Sequence, residues 1–266
     1  MTRLALGIEY AGSHYSGWQR QDHADSVQAR LEAALGAITR HPVAVVAAGR
    51  TDAGVHACGQ VVHFDTAVER PERAWVRGVN SHLPADIGVR WVAAPGAAFD
   101  ARRSALARAY RYLLVDAPLR PVLLRERVGW TWRRLDADRM QLAARHLLGE
   151  HDFSSFRAAG CQAHHPVRRV ESLVVSRRDG VIAFDITANA FLHHMVRNIV
   201  GTLMAVGAGE AAPDWVADVL AGRDRCRAGV TAPSTGLYLQ GVRYPARFAL
   251  PGPVAGPVFA CAEAGG

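Results

Sequence analysis

Leu4–Tyr10 is an apolar, β-rich run that predicts a first strand. Val27, Leu31, Leu35 and Ile38 then recur at helical spacing behind Asp25 or Ser26, either of which can serve as N-cap. Val43–Ala48 predicts a short buried strand, and the alternation over Gly59–Asp65 predicts its partner. A helix over Ala74–Leu83 closed by Pro84, and a strand over Ile87–Ala93, complete the series. The order is β-α-β-β-α-β, the split arrangement of ferredoxin-like and RRM-like domains.

A second cycle begins near residue 105. Ala107–Val115 predicts a strand, and Asp136 caps a helix to about Leu148 with Met140, Ala143, Ala144 and Leu147 inward. Val170–Ser176 and Val181–Ala188 read as a hairpin around Asp179-Gly180. Leu192–Val206 predicts an apolar helix, Asp214–Leu220 a shorter one and Leu237–Val242 a last strand. The expected organisation is an α+β half over 1–104, a second over 105–246, and a Pro/Gly/Ala-rich surface tail over 247–266. Pockets favour junctions between such halves, so a central cleft is expected.

Composition adds a polyanionic partner to this picture. The 266 residues are half hydrophobic and 21% charged, ordinary for a chain with a real core. All 31 basic residues are arginine, and the formal net charge is +7. Arginine in place of lysine follows coding composition, but the excess of basic over acidic groups favours a phosphate-bearing partner. No apolar run reaches the roughly 18 to 20 residues that span a bilayer. Met1-Thr2-Arg3 leads into a strand rather than an apolar leader, so a cytoplasmic location is expected. Cys58, Cys161, Cys226 and Cys261 lack the close pairing of a zinc or redox motif, and Cys161 with His164 and His165 has no second half.

The segment Gly49-Arg50-Thr51-Asp52-Ala53-Gly54-Val55-His56-Ala57 lies between two expected strands and is too long for a two-residue turn. Its glycines permit tight turns and close approach to a ligand, with an arginine, a hydroxyl and a carboxylate between them. An Asp in such a loop is, by itself, a common turn former. Tyr110 alone reads equally as a core aromatic. Arg197, among Met195, Val196, Ile199 and Val200, needs a buried partner or a route to solvent. His193 and His194, if helical, point apart and do not share a metal. His56 and His63 read as backbone or phosphate contacts, or as satisfied structural histidines. The pairs Arg102-Arg103, Arg133-Arg134, Arg168-Arg169 and Arg177-Arg178 read singly as solvated surface and together as candidate contacts to a phosphate backbone, which position without specifying sequence.

Taken together, five distant segments resemble the TruA family of tRNA pseudouridine synthases. They are Tyr10-Ala11-Gly12 with Tyr15–Gln21, the Gly49–Ala57 loop running into Gly59-Gln60-Val61 and Phe64, and Phe99–Arg102 with Arg108–Tyr112. Asn189–Asn198 and Ala232–Leu239 follow in order, so the resemblance spans about residues 3 to 245. Ala11 stands where many members carry Asp. The resemblance implies two RRM-like halves sharing an extended mixed sheet, and a homodimer acting on uridines 38, 39 and 40 of the tRNA anticodon stem-loop. It makes Asp52 the nucleophile, Arg197 its salt-bridge partner and Tyr110 the tyrosine that stacks on the base. Arg50 would fill the place of the flipped base or hold a flanking phosphate. The isomerisation needs no metal, redox or nucleotide cofactor. Attack at C1′, attack on the base, and elimination with proton removal at C2′ all remain compatible with an Asp nucleophile.

Two other functional classes fit parts of the same pattern. A non-catalytic RNA-binding or tRNA-chaperone protein would use the same basic surface, and would have no need of the Asp52 motif. A base-cleaving glycosylase would need a second carboxylate to activate water, for which Asp100 and Asp185 are the candidates.

Overall fold

In the computed structural model, which describes residues 1–252, the chain forms two compact α+β units. The first takes residues 1–110 and 237–252, and the second residues 111–236. The last strand therefore belongs with the first unit, although its place in the sequence put it with the second half.

The first unit contains β1 (Thr2–Tyr10), α1 (Val27–Thr39), β2 (Val46–Ala47), β3 (His56–Thr66), α2 (Glu72–Asn80), β4 (Ile87–Ala93) and β10 (Leu237–Arg243). Its strands run β4-β1-β3-β10, with β2 on β3. β1 is antiparallel to both neighbours, while β10 pairs parallel to β3. The period-two rule sorts β1 between two cores. Leu4, Leu6, Ile8 and Tyr10 pack with Val27, Leu31 and Leu35 of α1 and Trp75 of α2. On the opposite face, Ala5 and Val61 join Phe99, Ala101 and Phe248. Phe248 is 5% exposed, so a core residue stands at the second position of the expected surface tail, and residues 253–266 lie outside those described.

Of the two expected caps, Ser26 rather than Asp25 caps α1, its hydroxyl accepting from the Ala29 N–H. The expected strand Val43–Ala48 shrinks to two residues for a local reason. Buried Glu32 of α1 accepts the Val45 N–H at 3.0 Å, so that donor is taken by a helix side chain rather than by a strand ladder. Glu32 also receives Gln28 and Arg20.

The second unit contains the end of β5 (Ala107–Asp116, which enters from the first unit), β6 (Gly129–Thr131), α3 (Ala137–Ala144) and β7 (Gly149–Asp152). β8 (Val167–Arg178), β9 (Val181–Ala188), α4 (Met195–Gly207) and α5 (Trp215–Gly222) follow. Its strands run β5-β9-β8-β7, with β6 parallel to β5. The hairpin turns where expected: Asp179 and Gly180 both have positive φ, as a type I′ turn requires. α3 gives way to a 3-10 turn at Arg145–Leu147. α4 begins at Met195 instead of Leu192, because His194 is left-handed at φ 59°. His193 and His194 therefore lie outside the helix, and their rings sit 4.0 Å apart rather than diverging. That overturns the geometric premise on which the two were separated.

Candidate functional site

The loop from Gly49 to Val55 leaves β2 and enters β3, and it is fixed from several sides within the first unit. At its start, Gln60, fully buried in β3, donates to the Gly49 carbonyl at 2.7 Å. Arg108 reaches the preceding carbonyl, Ala48, at 2.9 Å and that of Arg102 at 2.8 Å. The Thr51 hydroxyl meets the Tyr10 hydroxyl at 2.8 Å in the interior. Burial pushes the Tyr10 phenol up to about 12, against hydrogen bonds from Thr51 and Gln60, so it keeps its proton at neutral pH.

The segment after β1 lies directly on this loop. The Trp18 N–H donates to the Thr51 carbonyl at 2.9 Å, and the Gly54 N–H to the Tyr15 carbonyl at 3.4 Å. Gly17 makes that approach possible: its φ is +100°, and a Cβ there would stand 2.8 Å from the Thr51 carbonyl oxygen. Asp52 itself opens a turn closed by the Val55 N–H at 3.1 Å, with Gly54 at φ +78° in the third position. A type II turn needs such a residue there. Asp52 is half-buried and Arg50 is exposed. The fold thus holds a carboxylate on a braced backbone with part of its surface open, which suits a nucleophile or a base.

Tyr110, on β5, lies in the same unit, half-buried against the core around Tyr10. Burial raises its phenol well above the usual range, and the nearby Tyr10 and Asp52 charges add to that, with Arg108 opposing. The phenol therefore keeps its proton at neutral pH. Asp52 and Tyr110 are within electrostatic reach of one another, and Arg50 shares the loop.

Arg197 belongs to the second unit, in the first turn of α4. Its Nε donates to the Ala232 carbonyl at 2.7 Å, and the Ala232 N–H donates back to the Arg197 carbonyl. This reciprocal pair aims the guanidinium. Its charge also reaches buried Tyr112, whose phenol is pushed up by burial and drawn down by Arg197. Tyr112 is fully buried and edge-on to Phe184.

Several other candidates resolve into structural parts. His56 and His63 each accept a backbone N–H, from Gly12 and Ala101. Arg168 is buried and donates to the carbonyls of His165 and Val167, while Arg177 binds Asp116 through both nitrogens at 2.7 Å. Neither fits the expected role of a surface RNA contact. Arg102, Arg103, Arg133 and Arg169 remain on the surface. Asp185 is paired with Arg111 at 2.6 and 3.0 Å. Burial pushes the Asp100 carboxyl up, but the Arg103 and Arg102 N–H groups outweigh it and hold the carboxyl below the usual range. Both carboxylates proposed for water activation are thus engaged in local structure. Tyr10, Gln60 and Arg108 carry the loop's support, and their roles escaped the sequence reading. A polar Gln inside the apolar run of β3 was the one local signal.

A family model described as tRNA pseudouridine synthase matches residues 7–102 and 143–245. The tRNA pseudouridine synthase A of Coxiella burnetii is 52% identical over 259 residues, covering 97% of this chain and 99% of that protein. Its counterpart in Pseudomonas aeruginosa is 55% identical over 260 residues, covering 97% and 91%. That of Hydrogenovibrio crunogenus is 54% identical over 251, covering 94% and 96%. Among solved structures, the crystal structure of a Cbf5-Nop10-Gar1 complex aligns with a TM-score of 0.36 at 9% identity over 88% of this chain and 57% of that one, a likeness too slight to weigh. With identity above half along almost its whole length, this chain belongs to the tRNA pseudouridine synthase family, whose members are isomerases.

Proposed function

We propose that the chain converts uridine to pseudouridine at positions 38, 39 and 40 of the tRNA anticodon stem-loop, with Asp52 as nucleophile. The observation that carries this reading is the braced, half-open loop that presents Asp52 beside the protonated Tyr110 phenol. The isomerisation breaks the bond between uracil N1 and ribose C1′, joins C1′ to C5, and exchanges the C5 hydrogen for one on N1. A carboxylate nucleophile divides this into easier steps. Extruding the target base costs a few kcal/mol of stacking. The Tyr110 ring recovers part of that cost by stacking on the freed base.

Arg197 is the salt-bridge partner of Asp52 in this reading, and Arg50, exposed on the same loop, meets a flanking phosphate or occupies the vacated base position. The enzyme acts as a homodimer on tRNA in the cytoplasm. The test is to incubate unmodified tRNA with the protein and map pseudouridine by carbodiimide adducts and reverse-transcriptase stops. Stops at 38, 39 or 40 are expected, and Arg197→Met should lose turnover more than tRNA binding. Stops elsewhere would move the site of action, and near-normal turnover in Arg197→Met would remove the counter-charge role.

A further inference from the structure

The exit of the Asp52 loop is held by a side chain that no part of the proposed chemistry uses. His56 is 1% exposed, at the first position of β3. Its Nδ1 accepts the Gly12 N–H at 3.1 Å. Its ring stacks on Tyr238, its register partner on β10, with centroids 4.7 Å apart and planes 20° from parallel. An acceptor at Nδ1 requires the neutral tautomer that carries its hydrogen on Nε2. Gly12 sits so close that a Cβ there would stand within 1.9 Å of the Val55 carbonyl oxygen, so the 12–14 turn rests on the loop backbone itself. That turn is anchored in its own right, by the Ala11 N–H on the Asp86 carbonyl and by the Tyr15 hydroxyl on the Asp86 carboxylate.

The Asp52 loop is therefore clamped before and after the carboxylate. Upstream, Thr51 is tied to Trp18 and Tyr10. Downstream, the Gly54 tie is long at 3.4 Å, which leaves the Gly12–His56 bond as the firmer of the two. A side-chain bond that fixes the downstream end of a reactive turn controls where its carboxylate lies, and errors of about 1 Å at a reacting group cost up to about a hundredfold in rate.

We infer that His56 is a positioning residue for the reaction, acting through its Nδ1 bond to Gly12 to hold Asp52 in place. The inference rests on the reading of Asp52 as nucleophile. The test compares His56→Asn with His56→Gln. An Asn amide oxygen takes the place of Nδ1 and keeps the acceptor, whereas a Gln amide reaches toward the Nε2 position. Both lose the ring, so their difference isolates the bond to Gly12. His56→Gln should lower kcat about tenfold or more with KM for tRNA within about twofold, and His56→Asn should recover most of the loss. Wild-type kcat in His56→Gln would overturn the inference. So would equal loss of kcat, KM and melting temperature in both variants, which is the mark of a merely structural residue. Asp52→Asn run alongside separates the two claims. If it stays active, the nucleophile reading fails; if it is inactive while His56→Gln turns over normally, only the role of His56 fails.

Discussion

Gly17 and Gly96 both have positive φ, +100° and +88°, yet their surroundings differ. A Cβ at Gly96 meets nothing within 4 Å, while one at Gly17 meets the Thr51 carbonyl oxygen at 2.8 Å and the Ala53 nitrogen at 3.2 Å. Gly96→Ala should cost about 1 kcal/mol for the left-handed backbone alone. Gly17→Ala should cost about 2 to 3 kcal/mol and lower turnover, because the Trp18–Thr51 contact must open. Urea denaturation of the two variants checks this, and equal costs would mean that the 17–18 segment does not brace the loop. At this scale the sequence was informative where one residue type implies one job. Gly49 and Gly54 marked a turning loop and Ser26 a cap, but the resemblance, not the pattern, singled out Asp52. Tyr10, Gln60 and Arg108 act on residues 41, 11 and 60 positions away, and no local rule reads such pairings.

The end of β5 is tied to β8 by a buried charge. Asp116, its side chain wholly buried, takes both Arg177 nitrogens at 2.7 Å and the Leu135 N–H at 2.9 Å. Burial pushes this carboxyl up, but Arg177, the Leu135 N–H and Arg134 outweigh it and hold it below the usual range. A depressed carboxylate contributes stability that is present above its unfolded value near 4 and lost as pH falls through the folded value. Asp116→Asn should therefore cost about 3 kcal/mol at pH 7. The gap to the unsubstituted protein should narrow as pH drops below about 4. A gap of the same size at acid pH would show that the tie is not ionic. Elements with a strong period were legible in the sequence: Ile87–Ala93 has the predicted bounds, and the β8–β9 hairpin turns at the predicted residues. Misses have local causes. Glu32 takes the Val45 donor, left-handed His194 delays α4, and the polar run Gly149–Asp152 becomes β7 only because β8 offers it an antiparallel edge.

Across the whole molecule, the net charge of +7 is carried by arginine alone among the basic residues. Ion pairs engage some of the arginines: Arg3 with Asp65, Arg111 with Asp185 and Arg177 with Asp116. Arg102, Arg103 and Arg169 are exposed, and the proposed function would have such side chains meet phosphates. Affinity for tRNA should then fall at least about a hundredfold between 50 and 200 mM salt, read by filter binding, as counterion release demands. Affinity that is indifferent to salt would contradict a surface that grips the backbone. The return of β10 to the first unit was not legible in the sequence, since strand partners far apart in sequence leave no trace in periodicity. Among the described residues no helix is long and apolar enough to cross a membrane. In the proposed function Asp52 performs the chemistry while the rest of the surface holds the RNA. The most direct test is Asp52→Asn against the unsubstituted protein on unmodified tRNA, scoring pseudouridine formed and tRNA bound in the same samples. The variant should bind tRNA normally and form no pseudouridine, whereas pseudouridine from the variant, or none from the unsubstituted protein, would remove Asp52 as the nucleophile.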